Sequence, residues 1–111
     1  MITINIKPLS VNQAWQGKRF KTKKYKQYEI DLFYLLPKIT IPKGKLEIHY
    51  IFYYSNIQSD IDNGIKQFQD ILCKKYNFND KMIYKIIVEK KIVKKGQERI
   101  DFLIKCYQSL H

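Results

Sequence analysis

"LEIHYIFYYSNIQSDIDNGIKQFQDIL", residues 46–72, changes its hydrophobic period partway along. Up to Tyr54 the chain alternates. Leu46, Ile48, Tyr50, Phe52 and Tyr54 share one face, which predicts a strand. "SNIQS" reads as a loop. From Asp60 to about Tyr76 the period becomes helical, with Ile61, Ile65, Phe68, Ile71 and Leu72 in one apolar stripe. Asp62, Lys66, Asp70 and Lys74 form a second stripe, each four residues from the last. A strand feeding an amphipathic helix sets the fold class, and the flanking segments complete it.

Upstream, "ITINI" puts Ile2, Ile4 and Ile6 on one face and predicts a strand ending at Pro8. "SVNQAWQGKRFKTKK" has no clear period and reads as a loop. Thr22 is placed to cap a helix in which Tyr25, Tyr28, Leu32, Leu35 and Leu36 recur at helical spacing, and Pro37 ends it. Downstream, "NFND" reads as a turn and "MIYKIIVEKKIV" as a strand. "KKGQ" then reads as a hairpin turn and "RIDFLIKCY" as the closing strand, with Ile100, Phe102, Ile104 and Cys106 on one face. The order β-α-β-α-β-β predicts one α+β domain over residues 1–111: two layers, with two helices on one face of a mixed four-stranded sheet.

The chain has 111 residues, 45% of them hydrophobic and 14% aromatic, which excludes a disordered polyelectrolyte. Its 21 Lys+Arg against 10 Asp+Glu give a net charge of +11, which favours a polyanionic partner. Nucleic acid is the first candidate and an anionic membrane surface the second. "MITINIKPLS" does not read as a secretory signal, and no apolar run reaches spanning length, so a cytoplasmic protein is expected. Cys73 and Cys106 lack metal spacing, and only His49 and His111 could join them, which argues against zinc.

Against this basic background, four of the ten acidic residues fall between positions 60 and 80: Asp60, Asp62, Asp70 and Asp80. The ordinary reading makes Asp60 a helix N-cap and Asp62 a first-turn acid. Lys66 then belongs to an i,i+4 ladder of about 0.2–0.5 kcal/mol per pair. The functional reading starts from electrostatics. Bare carboxylates repel the phosphate backbone that the rest of the chain attracts, unless a divalent cation sits between them. Mg2+ or Mn2+ takes oxygen ligands, chiefly carboxylates, water and substrate phosphate. Such an ion stabilises charge at a scissile phosphate and acidifies bound water. Lys66 is placed to meet the phosphate.

Two clusters offer backbone contacts. Lys18, Arg19, Lys21, Lys23 and Lys24 interleave with Trp15 and Phe20, a mixture suited to phosphates and unpaired bases. The alternative is a solvated loop with Trp15 packed inward. Lys90, Lys91, Lys94 and Lys95 surround the expected last hairpin, where lysines equally serve to protect a sheet edge.

"SDIDNGIKQFQDIL" followed by "NDKMI" resembles the RusA-like Holliday junction resolvases, as does the N-terminal "LSVNQAWQGKRFKT". The shared pattern is D-x-D-N-x-x-K, an Asp four residues beyond the Lys, and a downstream acidic turn. The resemblance spans nearly the whole chain and implies a small dimeric, metal-dependent endodeoxyribonuclease. It would resolve four-way DNA junctions by paired phosphodiester incisions. On this resemblance Asp60, Asp62 and Asp80 hold Mg2+ or Mn2+, Lys66 is catalytic, Asp70 supports it, and Asn63 is structural or supports the ligands from behind. The sequence departs from the family with Asn79 where a first Asp is frequent, Met82 where Gln is, and Gly64 where a larger residue is usual. Two other functions stay open: a non-catalytic nucleic-acid-binding regulator, and a nuclease for flaps or RNA.

Overall fold

The computed structural model describes residues 1–17 and 20–108, and they form a two-layer α+β domain. The strands are β1 (Ile2–Ile4), β2 (Trp15–Gln16), β3 (Phe20–Lys21), β4 (Leu46–Tyr54), β5 (Ile83–Ile92) and β6 (Arg99–Cys106). The helices are α1 (Val11–Ala14), α2 (Lys23–Leu35) and α3 (Ile65–Tyr76), with a 3-10 turn at Asp80–Met82. The main sheet is mixed and four-stranded, in the order β1-β6-β4-β5, and β2-β3 form a separate small ribbon.

β4 is the central strand. All five residues of its predicted apolar face are buried. Phe68 of α3 meets the rings of Tyr50, Phe52 and Phe102 edge-on, at 5.9, 6.1 and 5.7 Å. Edge-to-face rings at this spacing add to their area burial. α2 starts where expected: the Thr22 side chain accepts from the Tyr25 N–H at 3.1 Å. Tyr25, Tyr28, Leu32 and Leu36 are buried, but Leu35 faces outward. β1 ends at Ile4, short of Pro8.

Three expectations need correction. The short helix α1 adds a third helix, its Ser10 cap and Gln13 forming a capping box. "KKGQ" does turn the chain, with Gln97 N–H bonding Lys94 O at 3.0 Å. It does not make a hairpin: β5 pairs parallel to β4 on one side, and β6 pairs antiparallel to β4 on the other. Finally, the helix begins at Ile65 and not Asp60, with Gly64 as a cap that makes no side-chain bond. Ile61 is 48% exposed and takes no part in the apolar stripe.

The late start has a steric cause. Residues 60–64 form two overlapping turns, with Asn63 N–H to Asp60 O at 3.2 Å and Ile65 N–H to Asp62 O at 3.3 Å. They descend onto β4 at Gly64. A Cβ there would lie 2.8 Å from Tyr54 Oη and 3.2 Å from the Phe52 ring. A side chain there would have to displace Tyr54 Oη and the Phe52 ring, which accounts for the glycine.

Gly64→Ala is therefore expected to lose about 1–3 kcal/mol in denaturant unfolding. Adding Tyr54→Phe, which deletes the nearest atom, should recover part of that loss. Equal stability of Gly64→Ala and wild type would remove the steric account.

Candidate metal and nucleic-acid site

The turn at residues 60–64 is held from both sides. Val11 N–H donates to Asn63 Oδ1 at 3.3 Å and to its carbonyl at 3.2 Å. The buried Gln67 amide donates to the carbonyls of Asn63 and Leu9. Asn63 thus stitches the N-terminal loop to the turn, a structural part. Lys90 braces the preceding loop, donating to Ser59 O at 2.7 Å and Ile57 O at 3.2 Å. The sequence placed Lys90 in a basic cluster read equally as a backbone contact or as protection of a sheet edge. The signal that it braces the loop was its inward phase on β5, opposite Phe52.

Held this way, Asp60 and Asp62 project outward, both exposed. Neither caps α3, and among the described residues neither side chain makes a hydrogen bond or ion pair. The ordinary explanation of the D-x-D pair, helix capping, therefore does not apply. Burial, and then the charge of Asp62, push the Tyr54 hydroxyl beneath the turn up to about 12.

The expected ladder is mostly absent. Lys66 pairs with Asp70 at 3.8 Å, near the limit of an ion pair. Lys74 instead reaches Glu29 on α2 at 3.1 Å, and Lys21 reaches the same carboxylate at 3.3 Å. Burial alone would raise the Glu29 carboxyl, but these two lysines outweigh it and hold it below its ordinary value.

Asp80 lies elsewhere. It opens the 3-10 turn, where Asn79 Oδ1 accepts the Lys81 N–H at 2.9 Å. Asn79 is therefore a cap. The thiol of Cys73, late in α3, is pushed up to about 11, first by burial and then by the charges of Asp80 and Asp70. Asp80 and Asp62 sit at opposite ends of α3, whose 12 residues span about 18 Å. Strand register agrees: Ile83, just after Asp80, pairs with Leu46 at the start of β4, and the Asp60 turn follows the end of β4. One Mg2+ needs its ligand oxygens within about 4 Å of one another. Among the described residues no three acidic, imidazole or thiol side chains converge in that way. Asp60 and Asp62 have the right donor chemistry and free lone pairs, but the chain by itself does not bring Asp80 to them.

In the basic loop, the Trp15 ring packs edge-on against Tyr25 at 5.2 Å, and its indole N–H is buried. Phe20 is the exposed aromatic, at 73%. Lys21 is engaged by Glu29 and by the Tyr25 ring at 4.8 Å. Its ammonium is held below its ordinary value, chiefly by neighbouring Lys74. Lys23 and Lys24 are exposed in the first turn of α2, against the positive end of the helix dipole. Lys18 and Arg19 lie outside the described residues. No described helix is long and apolar enough to cross a membrane.

Compared with known proteins, the chain matches no family model and no curated protein sequence.

Lys23→Gln and Lys24→Gln should each raise stability by about 0.3–1 kcal/mol at low salt, because each removes a cation from a helix N-terminus. A loss of stability in thermal unfolding would mean that these ammonium groups have partners.

Proposed function

We propose that this protein is a metal-dependent endodeoxyribonuclease for branched DNA, four-way junctions first, working as a two-fold dimer. One observation carries the reading: two exposed carboxylates, unpartnered among the described residues, are held on a braced turn in a chain of net charge +11. The D-x-D-N-x-x-K pattern and its resemblance to the RusA-like resolvases supply the reaction type.

Asp60, Asp62 and an Asp80 are the residues that would hold Mg2+ or Mn2+. A bound ion would stabilise charge at the scissile phosphate and acidify a water nucleophile. Lys66, exposed and only loosely paired, can leave Asp70 to meet a phosphate oxygen. Lys23 and Lys24 neutralise the backbone, and Phe20 offers a face on which an unpaired base can stack.

The dimer answers the separation of Asp80 from Asp62. β5 is an edge strand, with Ile86 and Ile87 exposed. Antiparallel pairing of two β5 strands about a two-fold axis at Ile87 sets each Lys85 opposite a Glu89. It also sets Ile87 opposite itself, so the pairing is self-complementary. Because the strands run in opposite directions, the partner subunit's Asp80 turn falls at the sheet end that carries Asp60 and Asp62.

The test is a panel of four-way, forked, single-stranded and RNA substrates, each with and without Mn2+. The expected result is nicking of the four-way junction only with the metal. Asp62→Asn should lose cutting and keep junction binding. Binding without cutting in any divalent metal would make the protein a nucleic-acid-binding regulator, and preferred cutting of flaps or RNA would change the substrate.

A further inference from the structure

A second polar feature lies beside the carboxylate turn. A cavity of about 430 Å³ opens between the N-terminal loop, the end of β4 and the loop before Asp60. Ser59 and Asn63, which flank Asp60 and Asp62 in the chain, both line it. The volume falls within the range of small-ligand sites, about 300–1,000 Å³.

Three amides that line this cavity have a fixed orientation. Gln13 Oε1 accepts from Ser10 N–H at 3.3 Å and from its hydroxyl at 3.2 Å. Asn63 Oδ1 accepts from Val11 N–H, and Asn56 Oδ1 from Gln58 N–H at 2.9 Å. A backbone N–H can only donate, so each of these bonds fixes its amide with oxygen inward. The NH2 groups of Gln13, Asn56 and Asn63 make no bond within the described residues. The Lys7 ammonium adds a further donor, and the Gln58 side chain adds both an NH2 and an acceptor oxygen. The remaining side-chain carboxylate, Glu98, is committed. It accepts from Gly96 N–H at 2.7 Å and from the Ser55 hydroxyl at 2.8 Å. The three amides whose oxygens are tied to the backbone thus present oriented donors, the Gln58 amide and the hydroxyls of Ser59 and Tyr54 can turn to donate or accept, and Lys7 and Glu98 balance the charge.

We propose that this cavity binds the acceptor edge of a nucleobase beside the turn that carries Asp60 and Asp62, and that its NH2 groups select guanine. A balanced charge favours a neutral base edge over a phosphate. Guanine presents two adjacent acceptors, O6 and N7. Adenine pairs N7 with an amino donor and cytosine presents an amino donor, so each would set a donor against one of these oriented NH2 groups. Pro8 and the edge of Tyr54 supply an apolar wall. The inference rests on the chain being a nucleic-acid protein, but not on its cutting.

The experiment follows the side-chain NH2 signals of Gln13, Asn56 and Asn63 in 1H–15N spectra of the whole chain, titrated with dGMP, dAMP or inorganic phosphate. dGMP should shift these signals and bind about tenfold more tightly than dAMP, the discrimination of one good bidentate contact. Asn56→Asp and Gln13→Glu keep the oxygen that holds the backbone and delete the NH2. Each should erase the preference, with the backbone spectrum of the folded protein retained. Equal binding of dGMP and dAMP, or equal shifts from inorganic phosphate, overturns the proposal. If the folded protein binds neither nucleotide nor four-way junction, the nucleic-acid reading fails with it. Junction binding without a guanine preference sinks this inference alone.

Discussion

The parallel pairing of β4 with β5 governs the layout of this protein. Parallel neighbours cannot be joined by a tight turn, so the chain must cross back over the sheet before β5 can start. α3 is that crossover. Its entry must lie at the carboxyl end of β4 and its exit at the amino end of β5. The turn carrying Asp60 and Asp62 is the entry, and the turn carrying Asp80 is the exit. Phe68 locks the helix against Tyr50, Phe52 and Phe102, so the separation of the two acidic sites is as rigid as the core.

Two features work against stability. Asp60 and Asp62 make no side-chain bond among the described residues, and lysines open α2 where its dipole disfavours them. Nearby polar groups, in contrast, are spent on rigidity. Asn63, Gln67 and Lys90 all bond main-chain atoms around the turn. Rigid support beneath exposed, uncompensated charge is the expected arrangement for a site that completes itself with an outside ion and a polyanion.

Local patterns told much of this in advance. The alternation of β4 is strict, and Thr22 has both a capping side chain and a periodic stripe behind it, so both elements were legible. The hairpin was not. Gly96 adopts φ +95° in a true turn, but a turn signal cannot say that β4 lies between the strands it joins. The helix start was misread because Ile61 falls in phase with Ile65 by chance, and the close approach of Tyr54 that requires Gly64 is a tertiary fact. The acidic group was legible as a set and not as a site. Residues eighteen apart looked like neighbours until the crossover placed a helix between them.

Subunit complementation tests the account most directly. Asp62→Asn and Asp80→Asn proteins, each inactive alone, would be mixed, allowed to exchange subunits, and assayed for Mn2+-dependent nicking of a four-way junction. If each site joins Asp60 and Asp62 of one subunit to the partner subunit's Asp80, every mixed dimer holds one intact site. Nicking should then return to about a quarter of the wild-type level, since random exchange makes half the dimers mixed. If mixing restores no activity while mixed dimers form, each site belongs to one chain and the account of how the fold assembles it is contradicted.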